Sequence, residues 1–486
     1  MDSLAKPAIA ALKAKKVVFF PENKRTQLIS YLEGLHDWNI SRQIAWGIPI
    51  PAFQNVDAPE DWIYDERVTE EIIQVDGKTY HRDADVFDTW FSSSSWPYAT
   101  LNYPEADFKE FYPLDLMETG FDILYPWVSR MLMFGLYTTN AIPFKAVYLH
   151  GLIQDEQGQK MSKSKGNVIN PMDVVDDFGS DAMRMGLIKD ESPAANRPFD
   201  RSKVVGARNF CNKLWNIARF VEGLGMGDGA LAEPKTAADH WVLSKLQSLQ
   251  HSLEKDLDAY RFAEGYEKLY HFIWDDLADW YLEASKAAPN VVLLRRILAN
   301  ILALTHPFAP FVTETIWQTL DEDGDSLLAT SRWPQIVKGH AKPAAEFEAI
   351  KTIVTEARAI IKSLHATDVT LYYTNVPFLK DNAAIITQMA RLNGVTEVRD
   401  GTGVYLTQTA YRCWLDIDAA TASHYADELE AKQQGAEHII AQLEGRLANK
   451  AYVDHAPKHV VDQTRDQLKD AHALLESLSE ERKRFV

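Results

Sequence analysis

The chain has 486 residues, enough for about three domains with a sizeable core each. Its 46% hydrophobic, 25% charged and 11% aromatic content describes an ordinary globular protein and excludes a disordered or fibrous one. The formal net charge of −18 argues against indiscriminate nucleic-acid binding, which needs a broad basic surface, so any RNA contact must use local basic patches. The N-terminus lacks the charged n-region and apolar core of a signal peptide, and no run of about 18 apolar residues could span a bilayer; a cytoplasmic location with no membrane partner is expected. Cys211 and Cys413 lie too far apart for a Cys-x-x-Cys zinc knuckle and form no disulfide framework, so they read as buried free thiols and no metal site is expected.

A first segment, Met1 to about Arg197, mixes short strands with helices. Val17-Val18-Phe19-Phe20 before Pro21 suits a strand, and Arg25 to Gly34 a helix ending at its glycine. A polar and aromatic stretch follows, Asp37 to Gln43 and then Trp46 to Pro51, in which Trp38 and Trp46 read as core aromatics. Phe121 to Thr139 predicts a helix that is apolar almost all round, hence buried against a sheet, and Ala146-Val147-Tyr148-Leu149 predicts a buried strand. Soon after that strand comes Gly158-Gln159-Lys160-Met161-Ser162-Lys163-Ser164-Lys165-Gly166-Asn167. Lysines between glycines can close on a triphosphate, and serine hydroxyls add donors without bulk. The run lies at a strand's carboxyl end, where open α/β sheets bind ligands. The plainer reading is a solvated lysine-rich loop or localisation patch. The Gly-x-x-x-x-Gly-Lys-Ser/Thr spacing of a Walker loop is absent.

From about Phe199 to Trp333 the pattern changes to long amphipathic helices. Leu246, Leu249, Leu253 and Leu257 recur at helical spacing, as do Phe262, Tyr266, Leu269, Ile273, Leu277 and Trp280, which predicts a helix bundle with an aromatic core stripe. Arg201, Lys203, Arg208, Lys213 and Arg219 at its start are candidates to meet phosphates, against the reading of solvated surface charge. A small α+β unit is expected over 345–417, with a helix over Ile350 to Leu364 and a strand over Val369 to Tyr373, and with no chemistry of its own. Leu429, Ala436, Ile440, Leu443 and Leu447, then Val461, Thr464, Leu468, Ala471, Leu475 and Leu478, repeat in threes and fours; with a turn at Asn449 to Val453 and Pro457 they predict an antiparallel coiled-coil hairpin over 424–486. Such a hairpin is a partner clamp, a tRNA brace or a self-packing tail.

The lysine run resembles the KMSKS loop of class I aminoacyl-tRNA synthetases. Asp85-Val86-Phe87-Asp88-Thr89-Trp90-Phe91-Ser92-Ser93 with Trp96-Pro97 resembles the DTWFSS-WP stretch of the valyl-tRNA synthetases. Thr119-Gly120-Phe121-Asp122-Ile123 with Trp127 to Met131, the run His150 to Asp155, Arg208 to Asn216, Asp279 to Glu283, His306-Pro307-Phe308 and Leu443 to Val453 are similar to further segments of that family, in order. Only 345–417 is weakly covered. The family's HIGH-type motif and editing insertion have no counterpart, and no His-x-Gly-His occurs in the 486 residues. The resemblance therefore implies the C-terminal part of such an enzyme, either a split subunit or a truncation, inactive without an N-terminal half that carries that motif.

The implied fold is α/β followed by all-α. Residues 1–197 form the C-terminal half of a Rossmann-type nucleotide-binding domain, 198–335 an anticodon-binding bundle, 345–417 the α+β unit and 424–486 a tRNA-binding arm. The implied reaction activates valine with ATP and Mg2+ and charges tRNA(Val). By the same resemblance Lys160 and Lys163 are catalytic. ATP is held by His150, Gly151, Lys160, Met161, Ser162, Lys163 and Ser164, and valine by Trp90, Asp122 and Ile123. The competing readings are an isoleucine or leucine synthetase, or a non-catalytic tRNA-binding module.

Overall fold

The computed structural model describes residues 1–227, 232–320, 326–449, 452 and 458–482. The chain divides into two compact units, Met1–Gly206 with Asp256–Gly265 and Ala207–Lys255 with Tyr266–Val486.

The first unit is built on a parallel three-stranded sheet in the order Val18–Phe20, Phe144–His150, Leu114–Gly120. The central strand is covered on both faces, so it reads as a continuous apolar run rather than an alternating one: Phe144, Val147 and Leu149 are fully buried and Tyr148 nearly so. Parallel neighbours need a crossover, and the helical run from Phe121 to Thr139 supplies it between the Leu114–Gly120 and Phe144–His150 strands. Helices Asp2–Lys13 and Asn23–Glu33 join it in one core with Leu12, Phe19, Leu28, Met131 and Leu132.

The crossover is not the single continuous helix that the sequence predicts. Pro126 donates no N–H and its ring crowds the carbonyl four residues back. The run therefore opens as a 3-10 turn over Phe121–Ile123, widens to a π turn over Leu124–Val128 and settles into an α-helix only over Ser129–Thr139. Its burial is nearly all round, as the sequence predicts: of Phe121 to Thr139 only Asp122, Tyr137 and Thr138 are exposed.

Trp46 is also corrected: it is 90% exposed rather than core. At this point the backbone takes the inner position, because a Cβ on Gly47 would lie 2.5 Å from Val86 Cγ2, and Ile44, Trp46 and Ile48 all face out. Trp38 is half-buried, with the Arg130 guanidinium 4.1 Å from its ring centroid. Between these segments lies an antiparallel sheet in the order Trp62–Tyr64, Ala52–Asn55, Lys78–Arg82, Ile72–Val75, closed over Phe53, Ile73 and Tyr80. Its strands are too short to give a periodicity signal.

The helical stretch comprises Arg201–Gly223, Ala237–Asp258, a run from Phe262 to Ser285 with a π segment at Phe272–Tyr281, Val291–Thr305 and Pro310–Leu320. Leu246, Leu253, Leu269 and Ile273 are fully buried and Tyr266 is 1% exposed, so the aromatic stripe is core. Cys211 is half-buried rather than buried; Cys413 is buried, and desolvation pushes its thiol up to about 12.

The helix of the small α+β unit runs over Ala341–Ser363, starting ahead of the expected Ile350, because Ala344 and Phe347 extend its buried stripe and Pro343 falls in the first turn, where it is tolerated. Its sheet has the order Gly394–Glu397, Thr370–Tyr373, Cys413–Leu415, Val404–Tyr405. Glu356, 1% exposed, ties helix to sheet by accepting from Thr407 N (2.7 Å), Thr407 Oγ1 (3.0 Å) and Gln408 N (2.9 Å). At the end of the chain, helices Ala419–Ala448 and Lys458–Arg482 lie against each other in opposite directions, Leu429 meeting Leu478 and Ile440 meeting Ala471. Lys450, Ala451, Val453 and Pro457 of the expected turn lie outside the described residues.

Candidate active site

Parallel register sets Gly120 beside His150, so the carboxyl ends of two strands open at one edge. A Cβ on Gly120 would lie 2.7 Å from Asp122 Oδ1 and 3.6 Å from His150 Cε1, so glycine lets both side chains crowd the same strand end. Asp122 is exposed and Ile123 half-buried in the 3-10 turn that follows. His150 Nε2 lies 3.3 Å from Glu118 Oε1, and its Nδ1 is 2.8 Å from the Gly151 carbonyl. At Gly151 a Cβ would lie 1.7 Å from the Ala195 carbonyl oxygen, so the strand can exit here only as glycine.

The lysine run leaves this edge through Ile153–Gln154, which pairs in parallel with Arg197–Pro198. It turns at Gly158 (φ +75°) and Gly166 (φ +67°), conformations that favour glycine. Lys163–Lys165 form a 3-10 turn. Lys160, Lys163 and Lys165 are exposed and pair with no carboxylate among the described residues. Ser162 Oγ and Ser164 Oγ lie 3.2 Å apart, and Met161 is half-buried with its sulfur 3.4 Å from Ile169 N. Asp155 is 6% exposed, and its carboxyl is held below the usual carboxylate range by the Gln159 N–H and then by the Asn167 amide.

Trp90 sits on a short helix, Thr89–Ser93, started by Asp88, whose Oδ1 accepts from Trp90 N at 2.8 Å. Asp88 is buried and ion-paired with Arg42, so the Ile40-Ser41-Arg42-Gln43 stretch fixes this helix. Trp127 Nε1 donates to Ser93 O at 3.1 Å, which ties it to the run that follows Ile123. The fold thus gathers Asp122, Ile123, His150 and Gly151 at one strand edge and tethers the helix of Trp90 to the same crossover. No hydrogen bond or ion pair among the described residues joins Lys160 or Lys163 to Trp90, Asp122 or His150. Among the described residues no group of three or more His, Cys, Asp or Glu side chains is placed to hold a metal ion.

Sequence reading missed four residues that set this geometry: Arg42, Asp88, Asp155 and Asn167. Only Asp88 carried a local signal, as an N-cap ahead of Thr89-Trp90. The basic residues at the start of the bundle are less available than their spacing suggests, since Arg201 pairs with Asp177, Lys203 with Asp190 and Lys213 with Asp279. Three exposed lysines on a glycine-bounded loop, at the carboxyl edge of a parallel sheet, are suited to a polyanion.

Comparison with known proteins agrees with this architecture. Residues 1–197 match the family described as tRNA synthetases class I (I, L, M and V), residues 239–370 the anticodon-binding domain of tRNA ligase, and residues 427–485 the valyl tRNA synthetase tRNA binding arm. The chain is 34% identical to the valine–tRNA ligase of Bacillus subtilis over 97% of its own length and 56% of that protein's. It is 40% identical to the valine–tRNA ligase of Bacillus cereus over 74% of its length and 42% of that protein's. It therefore spans about half the length of the curated relatives it matches. Among solved structures, an Agrobacterium radiobacter LeuRS in a complex with tRNA and LeuAMS shares the fold at a TM-score of 0.52 and 20% identity, over 73% of this chain and 47% of that one. Mycobacterium tuberculosis methionyl-tRNA synthetase in complex with methionyl-adenylate does so at 0.51 and 19%, over 65% and 61%. The three segments match synthetase families in order along the chain, and nearly the whole of its length is homologous to valine–tRNA ligases.

Proposed function

We propose that this chain supplies the lysine-loop half of a site that activates valine with ATP and charges tRNA(Val), and that a segment carrying His-x-Gly-His, absent from these 486 residues, completes it. A valine carboxylate oxygen bonds to the α-phosphorus as the bond to the bridging oxygen breaks, and pyrophosphate leaves with the electron pair. Lys160 and Lys163 neutralise the charge that moves toward that leaving group, and Ser162 and Ser164 donate to phosphate oxygens. Magnesium enters on ATP, as part of the substrate. Met161 packs the loop, and His150 and Gly151 border the nucleotide. Asp122 pairs with the α-ammonium, while Trp90 and Ile123 line a pocket for a branched aliphatic side chain. The valyl group then passes to the tRNA 3′ end, with the helix bundle reading the anticodon and the terminal helix pair bracing the tRNA.

The observation that carries this reading is the lysine loop itself: exposed cations, with no carboxylate partner among the described residues, leaving the strand edge that holds His150 and Asp122. The experiment is pyrophosphate exchange. The 486-residue chain alone gives no valine-dependent exchange, and adding the complementary segment of a related ligase restores it. Exchange driven by isoleucine or leucine in place of valine overturns the assignment, and robust exchange by the chain alone overturns the division of the site.

A further inference from the structure

The lysine loop is tied at both ends to one pair of side chains. Asp155 Oδ1 accepts from Gln159 N at 2.7 Å and Gln157 N at 3.1 Å, and its Oδ2 accepts from Asn167 Nδ2 at 2.7 Å. Asn167 returns the tie: its Oδ1 accepts from Ser162 N at 2.9 Å, and its Nδ2 is 3.4 Å from the Lys160 carbonyl. Asp155 stands at the loop's base and Asn167 just beyond Gly166, so this one pair closes the ring of chain that presents Lys160, Lys163 and Lys165. Apart from half-buried Met161 the loop between Gln159 and Gly166 is exposed or polar, and Gly158 and Gly166 hinge it with open space around both. Little apolar contact holds its shape; a backbone bridge between Gln154 and Lys160 joins its base, and the polar pair, Asp155 buried and Asn167 half-buried, ties its two ends together.

We propose that Asp155 and Asn167 are positioning residues: a clasp that pre-orders the lysine loop so that Lys160 and Lys163 meet the phosphates without first paying the full entropy of ordering it. The anion in that statement rests on the function proposed above; the clasp does not. The pair also has a built-in test of hydrogen-bond direction. In Asp155→Asn two amides face each other, and in Asn167→Asp two carboxylates do. In the double exchange D155N/N167D, the amide at position 155 still accepts from Gln159 N and donates to the carboxylate at position 167, which still accepts from Ser162 N.

Limited trypsin digestion of the 486-residue chain, with cleavage after Lys160, Lys163 and Lys165 followed by mass spectrometry, reads the opening of the loop directly. Each single variant is expected to be nicked on the order of tenfold faster, the loss of one charge-assisted hydrogen bond, and the double exchange to return toward the parent rate. Single variants nicked at the parent rate, or a double exchange as fast as the worse single, would overturn the clasp. A second measurement addresses its purpose. With the complementary segment restored, each single variant lowers kcat or raises the KM for ATP in pyrophosphate exchange while the KM for valine stays put, and the double exchange recovers both. Equal effects on valine and ATP would reduce the pair to a general structural role. If the parent itself shows no exchange, the functional reading fails while digestion still judges the clasp.

Discussion

Gly151→Ala adds one methyl group at the exit of the central strand. That carbon would lie 1.7 Å from the Ala195 carbonyl oxygen, 2.2 Å from Ala195 C and 2.9 Å from Asn196 N, all backbone atoms that have no rotamer to move aside. Real Cβ contacts do not fall below 3.0 Å, so the two segments must separate by about 1.3 Å. Three hydrogen bonds span the same seam: Ala194 N to Leu149 O (2.7 Å), Leu152 N to Asn196 Oδ1 (2.8 Å) and Arg197 N to Leu152 O (3.2 Å). At about 1 kcal/mol each their loss costs about 3 kcal/mol. The assay is urea denaturation of the parent and variant, with hydrogen exchange at Leu152, Ala194 and Arg197 to localise the effect. Gly158→Ala is the control, because its φ of +75° is strained but nothing lies within 4 Å, and it should cost only about 1 kcal/mol. If Gly151→Ala costs no more than Gly158→Ala and the three amides stay protected, close approach at Ala195 is not what requires the glycine.

Lys163→Ala, with the complementary segment restored, is expected to slow pyrophosphate exchange on the order of 100-fold while leaving tRNA affinity in filter binding unchanged; an unchanged exchange rate removes Lys163 from the mechanism. Glu356→Ala leaves Thr407 N and Gln408 N without their acceptor, and about 3 kcal/mol of stability should be lost, read as a shift in urea midpoint; a loss under about 1 kcal/mol would show that water replaces the carboxylate. In the small antiparallel sheet, hydrogen bonds from Asn55, Lys78 and Tyr80 hold the Asp61 carboxyl at about 2, below the ordinary 3.8. A depressed carboxyl stabilises the fold above its unfolded value and loses that contribution as pH falls, so the sheet's amides should lose protection between about pH 4 and pH 2. An Asp61 carbon resonance that titrates near 3.8 would refute it. Filter binding to tRNA(Val), tRNA(Ile) and a tRNA(Val) with a changed anticodon, at one stated salt concentration, tests the bundle: a preference lost with the anticodon change is expected, and indifference among the three would remove anticodon reading from its role.

What the sequence determined by itself are features written in contiguous residues. The lysine loop, the buried strand through Val147 and Leu149, the leucine and aromatic stripes of the bundle and the helical repeats near the end are each a local pattern of type and spacing. They also carry the family resemblance, because chemistry such as phosphate binding keeps its residues adjacent on one loop. Tertiary structure decided everything that depends on which distant segment arrives alongside. Gly47 presses on Val86, so Trp46 turns outward although its composition suits a core. Gly151 is forced by Ala195, Arg42 anchors the helix of Trp90 through Asp88, and Asp155 finds Asn167 across the loop. Periodicity reports which face of an element is apolar, but a hydrogen bond or a steric contact is fixed within a few tenths of an ångström by backbones far apart in the chain, and no local pattern encodes that distance.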